Sequence, residues 1–358
     1  LFEHLMFQGS ENTPPEYINL LSEMGATDLN GTTWFDRTNY FQTVPVGALD
    51  RTLFLESDRM GHMLGAIGQE VLDEQRDVVQ NEKRQRDNQP YASLWEKMLP
   101  QIFPPGHPYS WTTMGSLRDL EVASLEEMHE WFKTYYGPNN AVLVVAGDVK
   151  AQDVLSRVDR YFGDIPAGPP LAVQDEWIPR HTTERRIVVE DRVAQERLYL
   201  AWSGPRWGTA EASHMQLAAD ILARGKNSRL YRRLVYTEQL ASDLNMAAYL
   251  FEISGLIILQ ASVKPGEDIA EVERILREEL QEYAIGGPSV QELRRVKAEN
   301  QSHFLRGLEK LGGWGGRSSV LAEYAVYGGD PGSYKRYLDD IESATLTDIQ
   351  GVTEKWLG

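Results

Sequence analysis

Glu3 and His4 stand side by side near the start of the chain, in Leu1-Phe2-Glu3-His4-Leu5-Met6-Phe7-Gln8-Gly9-Ser10. In the inverted metal-binding motif H-x-x-E-H, two imidazoles at i and i+4 share one helix face. The Glu between them serves as general base toward an attacking water. Leu1-Phe2-Glu3-His4 supplies x-x-E-H, so the spacing places the missing His immediately before Leu1. The pair alone says little, because Glu and His adjoin on many solvated helix faces. Its meaning depends on the elements around it.

Composition narrows the chemistry. Cysteine is absent, which removes disulfides, thiolate nucleophiles and Cys-ligated zinc, so any zinc would need His and carboxylate ligands. The formal net charge of −17 disfavours a nucleic-acid partner, since phosphate binding needs a basic surface. No run of about 18 apolar residues occurs, so no membrane-spanning helix is expected. A length of 358 residues suits two domains.

Along the chain, Thr13-Pro14-Pro15-Glu16 opens a short helix, and two Thr- and aromatic-rich strands at Leu29–Trp34 and Thr38–Val44 flank a turn at Phe35-Asp36-Arg37. A helical zone runs from about Leu49 to Gln85, and residues 87–118 read as irregular. Ser124-Leu125-Glu126-Glu127 opens a capped helix to Tyr136, followed by a buried strand over Asn140–Gly147 and a helix over Ala151–Phe162. The second half reads as strands at Arg186–Glu190 and Arg197–Trp202, a helix near His214–Leu222 and a further one to about Thr237. Strands at Ser242–Phe251 and Gly255–Val263 and helices at Asp268–Tyr283 and Val290–Glu309 follow. Gly312-Gly313-Trp314-Gly315-Gly316 reads as a helix break, since no strand leads into it and no GK[ST] follows.

A faint internal repeat links Ser124–Tyr135 to Thr345–Trp356. It predicts an α+β fold of two similar domains, each an antiparallel-rich mixed sheet with helices on one side. The expected division is a metal-bearing domain over 1–165, a linker over 166–185 and a second domain over 186–358.

The ordered set Glu3-His4-Leu5-Met6-Phe7-Gln8-Gly9-Ser10, Gly25-Ala26, Asn30, Thr38-Asn39-Tyr40, Gly137-Pro138-Asn139-Asn140, Gly147-Asp148 and Asn227-Ser228-Arg229-Leu230 resembles the pitrilysin or insulinase family of zinc peptidases. That family includes the mitochondrial processing peptidases, and the likeness is to a short, bacterial, zinc-bearing subunit of the two-domain type. The resemblance implies a third ligand, a Glu on a helix 75–80 residues after the second His. Glu82 lies 78 positions after His4 (82 − 4) and fits better than Glu74 by the register of Asp77-Val78-Val79. It further implies Zn2+ held by His4, Glu82 and the residue before Leu1, with Glu3 as general base. A peptide or unfolded segment would add to the strand edge at Asn30, Gly31 and Thr32, for which a plain hairpin strand is an equal alternative.

Two departures matter. An assisting Glu found in some members is replaced by Gln75. The Arg and Tyr that active members carry in the second domain correspond here to Val235 and Ser242, neither of which can hold an oxyanion. The expectation is an obligate heterodimer whose paralogous partner supplies that pair. The second half, with Ala223-Arg224-Gly225 in the place of Glu-His, would bind no metal. The rival readings are an inactive scaffold member of the same family and a chaperone-like peptide chamber. His62, His107, His129, His181, His214 and His303 are assigned surface or capping roles. The compartment is left between periplasm and cytoplasm, with the periplasm as the expectation.

Overall fold

The computed structural model describes all 358 residues. Phe2–Leu5 (α1) and Tyr17–Glu23 (α2) precede the strands Thr27–Trp34 (β1) and Arg37–Thr43 (β2). Helices Leu49–Gly61 (α3), Gln69–Asp87 (α4), Leu94–Ile102 (α5), Leu117–Val122 (α6), Leu125–Tyr135 (α7) and Ala151–Phe162 (α8) complete the first half. Then come Arg197–Gly204 (β3), Ala210–Ala223 (α9), a π-helical turn over Tyr231–Thr237, Ala241–Leu250 (β4) and Gly255–Val263 (β5). Ile269–Gly286 (α10), Val290–Glu309 (α11), Arg317–Gly328 (α12), Tyr334–Ser343 (α13) and Leu346–Leu357 (α14) end the chain.

Two compact units form, and neither is a continuous half of the sequence. Unit 1 comprises Leu1–Gln89, Thr112–Val173 and Arg306–Gly332; unit 2 comprises Pro90–Trp111, Gln174–Leu305 and Ser333–Gly358. Each half therefore lends one segment to the other unit. The change at Val173/Gln174 falls inside the expected linker, but the two exchanged segments carry no local signal, since each reads as an ordinary helix with its loop.

Unit 1 is built on the antiparallel hairpin β1–β2, in which Gly31 faces Tyr40, Thr32 faces Asn39 and Thr33 faces Thr38. Side chains alternate across a strand. Gly31, Thr33, Thr38 and Tyr40 therefore share one face, and Thr32, Trp34, Arg37 and Asn39 the other. Unit 2 holds a three-stranded antiparallel sheet in the order β3-β5-β4. Its central strand reads Gly255-Leu-Ile-Ile-Leu-Gln-Ala-Ser-Val263 and is buried almost throughout, because helices and neighbouring strands enclose it. Leu256, Ile257 and Leu259 are inaccessible to solvent, as are Leu217, Ile221 and Leu222 of α9.

The fold class is the expected mixture of antiparallel sheets and helices. Several elements differ from the sequence reading. Asn140–Gly147 and Arg186–Glu190 are not strands: both lack ladder pairing, and Val142, Leu143 and Val188 are exposed. Apolar β-branched runs favour extended backbone, but a strand also needs an adjacent edge, and the run itself does not encode one. The zone from Leu49 to Gln85 is two helices, parted at residues 62–68 where Met63 and Ile67 turn inward and Gly68 is extended. The stretch 87–118 contains α5 despite Pro100.

Candidate metal and catalytic site

The four-residue helix α1 is too short to be stable by itself. It is held by its apolar side: Leu5 and Met6 are buried with Met63, Ile67, Leu72 and Phe132, and Phe2 lies against Tyr136 with ring centroids 5.0 Å apart. With Phe2, Leu5 and Met6 turned inward, Glu3 and His4 are left on the accessible side. The same α4 that buries Leu72 and Val79 carries Glu82 three residues beyond Val79, at the edge of its buried face.

The structure brings His4 and Glu82 together. His4 Nε2 lies 3.5 Å from Glu82 Oε2. That is long for a charge-assisted hydrogen bond, which would be about 2.7–2.9 Å. Two ligands each about 2.1 Å from a tetrahedral zinc lie roughly 3.4 Å apart. The donor set therefore fits two corners of a zinc site, while no group of three or more His, Cys, Asp or Glu in the chain is placed to hold a metal ion.

Glu3 faces the hairpin. Its Oε2 accepts a hydrogen bond from Thr33 Oγ1 at 2.5 Å. A Cβ at Gly31 would approach Glu3 Cγ to 3.1 Å and Phe7 Cε2 to 3.0 Å, so the glycine lets β1 lie directly on α1. Asn30 Oδ1 accepts the Gly31 N–H at 2.9 Å. β1 pairs with β2 on one side only, which leaves its other edge without a strand partner. Asn30, Gly31 and Thr32 thus lie in a strand with one edge unpaired by any other strand, close to Glu3, although the Gly31 N–H and the Thr32 carbonyl already have side-chain partners.

The opposite face of the hairpin is held by the segment lent from the second half. Arg37 Nη1 donates to Thr32 O at 3.1 Å, to Thr32 Oγ1 at 2.7 Å and to Asn39 Oδ1 at 3.1 Å. Its guanidinium stacks on Trp314, 4.5 Å from the ring centroid. A Cβ at Gly312 would meet Thr43 Oγ1 at 2.4 Å, so this loop touches β2 because it is glycine-rich. The sequence reading took Gly312–Gly316 only as a helix break. Thr33, Arg37 and Trp314 were missed, and only the exposed aromatic within the glycines hinted at a contact.

Behind the site lies a buried cation. Arg59 is 2% exposed and sits 4.4 Å from the Tyr40 ring and 4.8 Å from the Tyr17 ring. Burial alone would lower its pKa, but the Glu56 carboxylate, at 2.6 Å from Nη2, and the two phenols raise it. Asp58 accepts from Ser10 Oγ, Thr13 Oγ1 and the Asn12 amide, fixing the loop after α1; these bonds outweigh burial and hold its pKa low. Burial, followed by the contact with Tyr136, raises the Tyr40 phenol well above the usual value.

The remaining expected positions are structural. Gln75 is buried on α4, Val235 lies in the π-helical turn, and Ser242 Oγ hydrogen-bonds Gln195 Oε1 at 3.2 Å. Of the other histidines, expected in surface or capping roles, His107 is inaccessible rather than at the surface, with Nδ1 accepting the Tyr109 N–H at 3.0 Å in a local cap and Nε2 2.9 Å from Trp177 O. It fastens the Gln174 segment within unit 2, a role its sequence neighbours do not reveal.

The chain also has relatives among known proteins. Residues 1–116 match the family profile described as insulinase (peptidase family M16), and residues 123–300 match the one described as peptidase M16 inactive domain. The chain belongs to peptidase family M16. Zinc protease PqqE of Helicobacter pylori is 27% identical over 98% of this chain and 79% of its own length. The probable mitochondrial-processing peptidase subunit beta of Schizosaccharomyces pombe is 21% identical over 86% of this chain and 68% of its own. A crystal structure of a protease from Helicobacter pylori superposes with a TM-score of 0.89, at 24% identity, covering 99% of this chain and 85% of that one. A peptidase M16 inactive domain from Pseudomonas fluorescens gives 0.84 at 15% identity, covering 100% and 84%. At these identities the structures show the fold.

Proposed function

We propose that this chain is the metal-bearing subunit of a two-subunit zinc endopeptidase that cleaves peptides or unfolded segments. The observation that carries this reading is the 3.5 Å approach of His4 Nε2 to Glu82 Oε2, with Glu3 beside them. His4 and Glu82 hold the ion, and the third protein ligand is a His joined to Leu1. The i, i+4 geometry of a helix supports that placement. Zinc held there would supply Lewis-acid polarisation of the scissile carbonyl and a more acidic water.

The chain's own residues do the rest. Glu3 takes the proton of the attacking water and later passes one to the leaving amine. Thr33 holds the Glu3 carboxylate in one rotamer, and Gly31 keeps the hairpin close enough for that contact. The free edge of β1 at Asn30, Gly31 and Thr32 takes the substrate as an added strand, so main-chain pairing sets affinity and sequence demand is small. Val235 has no donor and Ser242 gives its hydroxyl hydrogen to Gln195 Oε1, so neither stands in for the Arg/Tyr pair, and a paralogous partner carrying that pair completes the site. Periplasmic placement is part of the same proposal.

The same two residues favour the inactive-scaffold reading as well. Peptidase assays of the purified chain, alone and with its paralogue, separate the two. Activity only in the mixture supports the proposal, robust activity of the chain alone removes the partner, and none in either favours the scaffold.

A further inference from the structure

Asp220 is a carboxylate that the site in unit 1 does not use, and only 2% of it is exposed. Three side-chain donors converge on it. Asn300 Nδ2 donates to Oδ2 at 2.7 Å, Arg224 Nη1 to Oδ2 at 2.9 Å, and Gln216 Nε2 to Oδ1 at 3.1 Å. Gln216, Asp220 and Arg224 are spaced i, i+4, i+8 along α9 and its C-cap; Asn300 comes from α11.

This constellation repeats the spacing of the candidate zinc site. A left-handed glycine follows His4 by five residues, Gly9 with φ 93°, and another follows Asp220 by five, Gly225 with φ 73° (9 − 4 and 225 − 220). Glu82 comes 78 residues after His4, and Asn300 comes 80 after Asp220 (82 − 4 and 300 − 220). In this register Ala219-Asp220, not Ala223-Arg224, stands opposite Glu3-His4, which moves the sequence alignment by four residues. Gln216 takes the place of the residue joined to Leu1. Arg224 takes the place of Gln8, which is uncharged.

We propose that Gln216, Asp220, Arg224 and Asn300 are the metal-free counterpart of the zinc site, with the Arg224 guanidinium supplying the positive charge that an ion supplies in unit 1. A buried carboxylate needs a compensating cation and satisfied lone pairs. Arg224 keeps one side in solvent, which lessens its own desolvation, and still reaches Oδ2. Hydrogen bonds thus tie α9 to α11 where coordination ties α1 to α4. The inference takes its template from the zinc reading of unit 1.

The test grafts ligands back. In the full chain carrying Glu82→Gln, the substitutions Gln216→His, Asp220→His, Asn300→Glu and Arg224→Gln should create one Co2+ site with the visible absorption of tetrahedral coordination, absent from Glu82→Gln alone. A folded variant that takes up no Co2+ overturns the proposal. Failure of the zinc reading would show elsewhere, as wild-type protein without metal.

A second arm does not depend on folding of the graft. Arg224→Gln should lower Tm by several degrees, and Asp220→Asn added to it should restore most of the loss. An unchanged Tm in Arg224→Gln, or losses that simply add, also overturns the proposal.

Discussion

His4 Nε2 and Glu82 Oε2 approach to 3.5 Å although 78 residues separate them, and they do so from two helices packed through Leu5, Met6 and Leu72. The separation suits two ligands of one ion better than a hydrogen-bonded pair. Neither residue is deeply buried, so the approach does not arise from a need to neutralise a buried charge.

Glu3→Gln keeps the shape and the Thr33 contact but removes the base. We expect zinc content to stay at the wild-type level while kcat of the assembled enzyme falls by about 10²–10⁴. Unchanged kcat would assign proton transfer to another group.

Trp314→Ala removes the ring beneath Arg37, a contact worth about 0.5–1 kcal/mol. Loosening Arg37 frees Thr32 and Asn39, and through the hairpin the Thr33 partner of Glu3. A several-fold loss in kcat/KM with intact zinc is expected; equal kcat/KM would show that the lent segment does not support the hairpin.

Arg59→Met leaves Glu56 without its cationic partner behind the site, with only the Tyr17 hydroxyl and the Gln42 amide still donating to it. Removing one member of a buried ion pair costs about 3–5 kcal/mol, so urea unfolding should show a clear fall in the midpoint. The double variant Arg59→Met/Glu56→Gln should recover part of it. A midpoint unmoved in the single variant would mean that the aromatic cage alone holds α3.

In unit 2, burial pushes the Glu292 carboxyl up, but Arg229 at 2.6 Å and the Ser289 N–H and hydroxyl prevail and bring its pKa to about 2 from 4.5. The folded pKa is depressed, so this stabilisation is fully present above about pH 4.5 and is lost as pH falls toward 2. Its ceiling is about 3 kcal/mol at neutral pH. Arg229→Met should flatten the decline in stability between those pH values; an equally steep decline would place the acid sensitivity elsewhere.

Local helix signals were legible in the sequence: the helices over Leu125–Tyr135 and Val290–Glu309 follow their caps and periodicity. Motif order singled out His4 and Glu82, which the fold brings to 3.5 Å. What was not legible depends on partners distant in sequence. Val142 and Val188 look like strand residues, yet ladder pairing is a property of two segments. Trp314 and Arg37 are 277 positions apart (314 − 37), and neither neighbourhood encodes the other. The pseudo-equivalence of Asp220 with His4 stayed hidden because the residue types differ and only the left-handed glycines mark the register.

The most direct measurement is the zinc content of the protein expressed from its whole open reading frame, beside Glu82→Gln. One zinc per chain in the wild type, lost in the variant, is the predicted result. Zinc absent from the wild type, or retained equally by Glu82→Gln, would contradict a site built on His4 and Glu82.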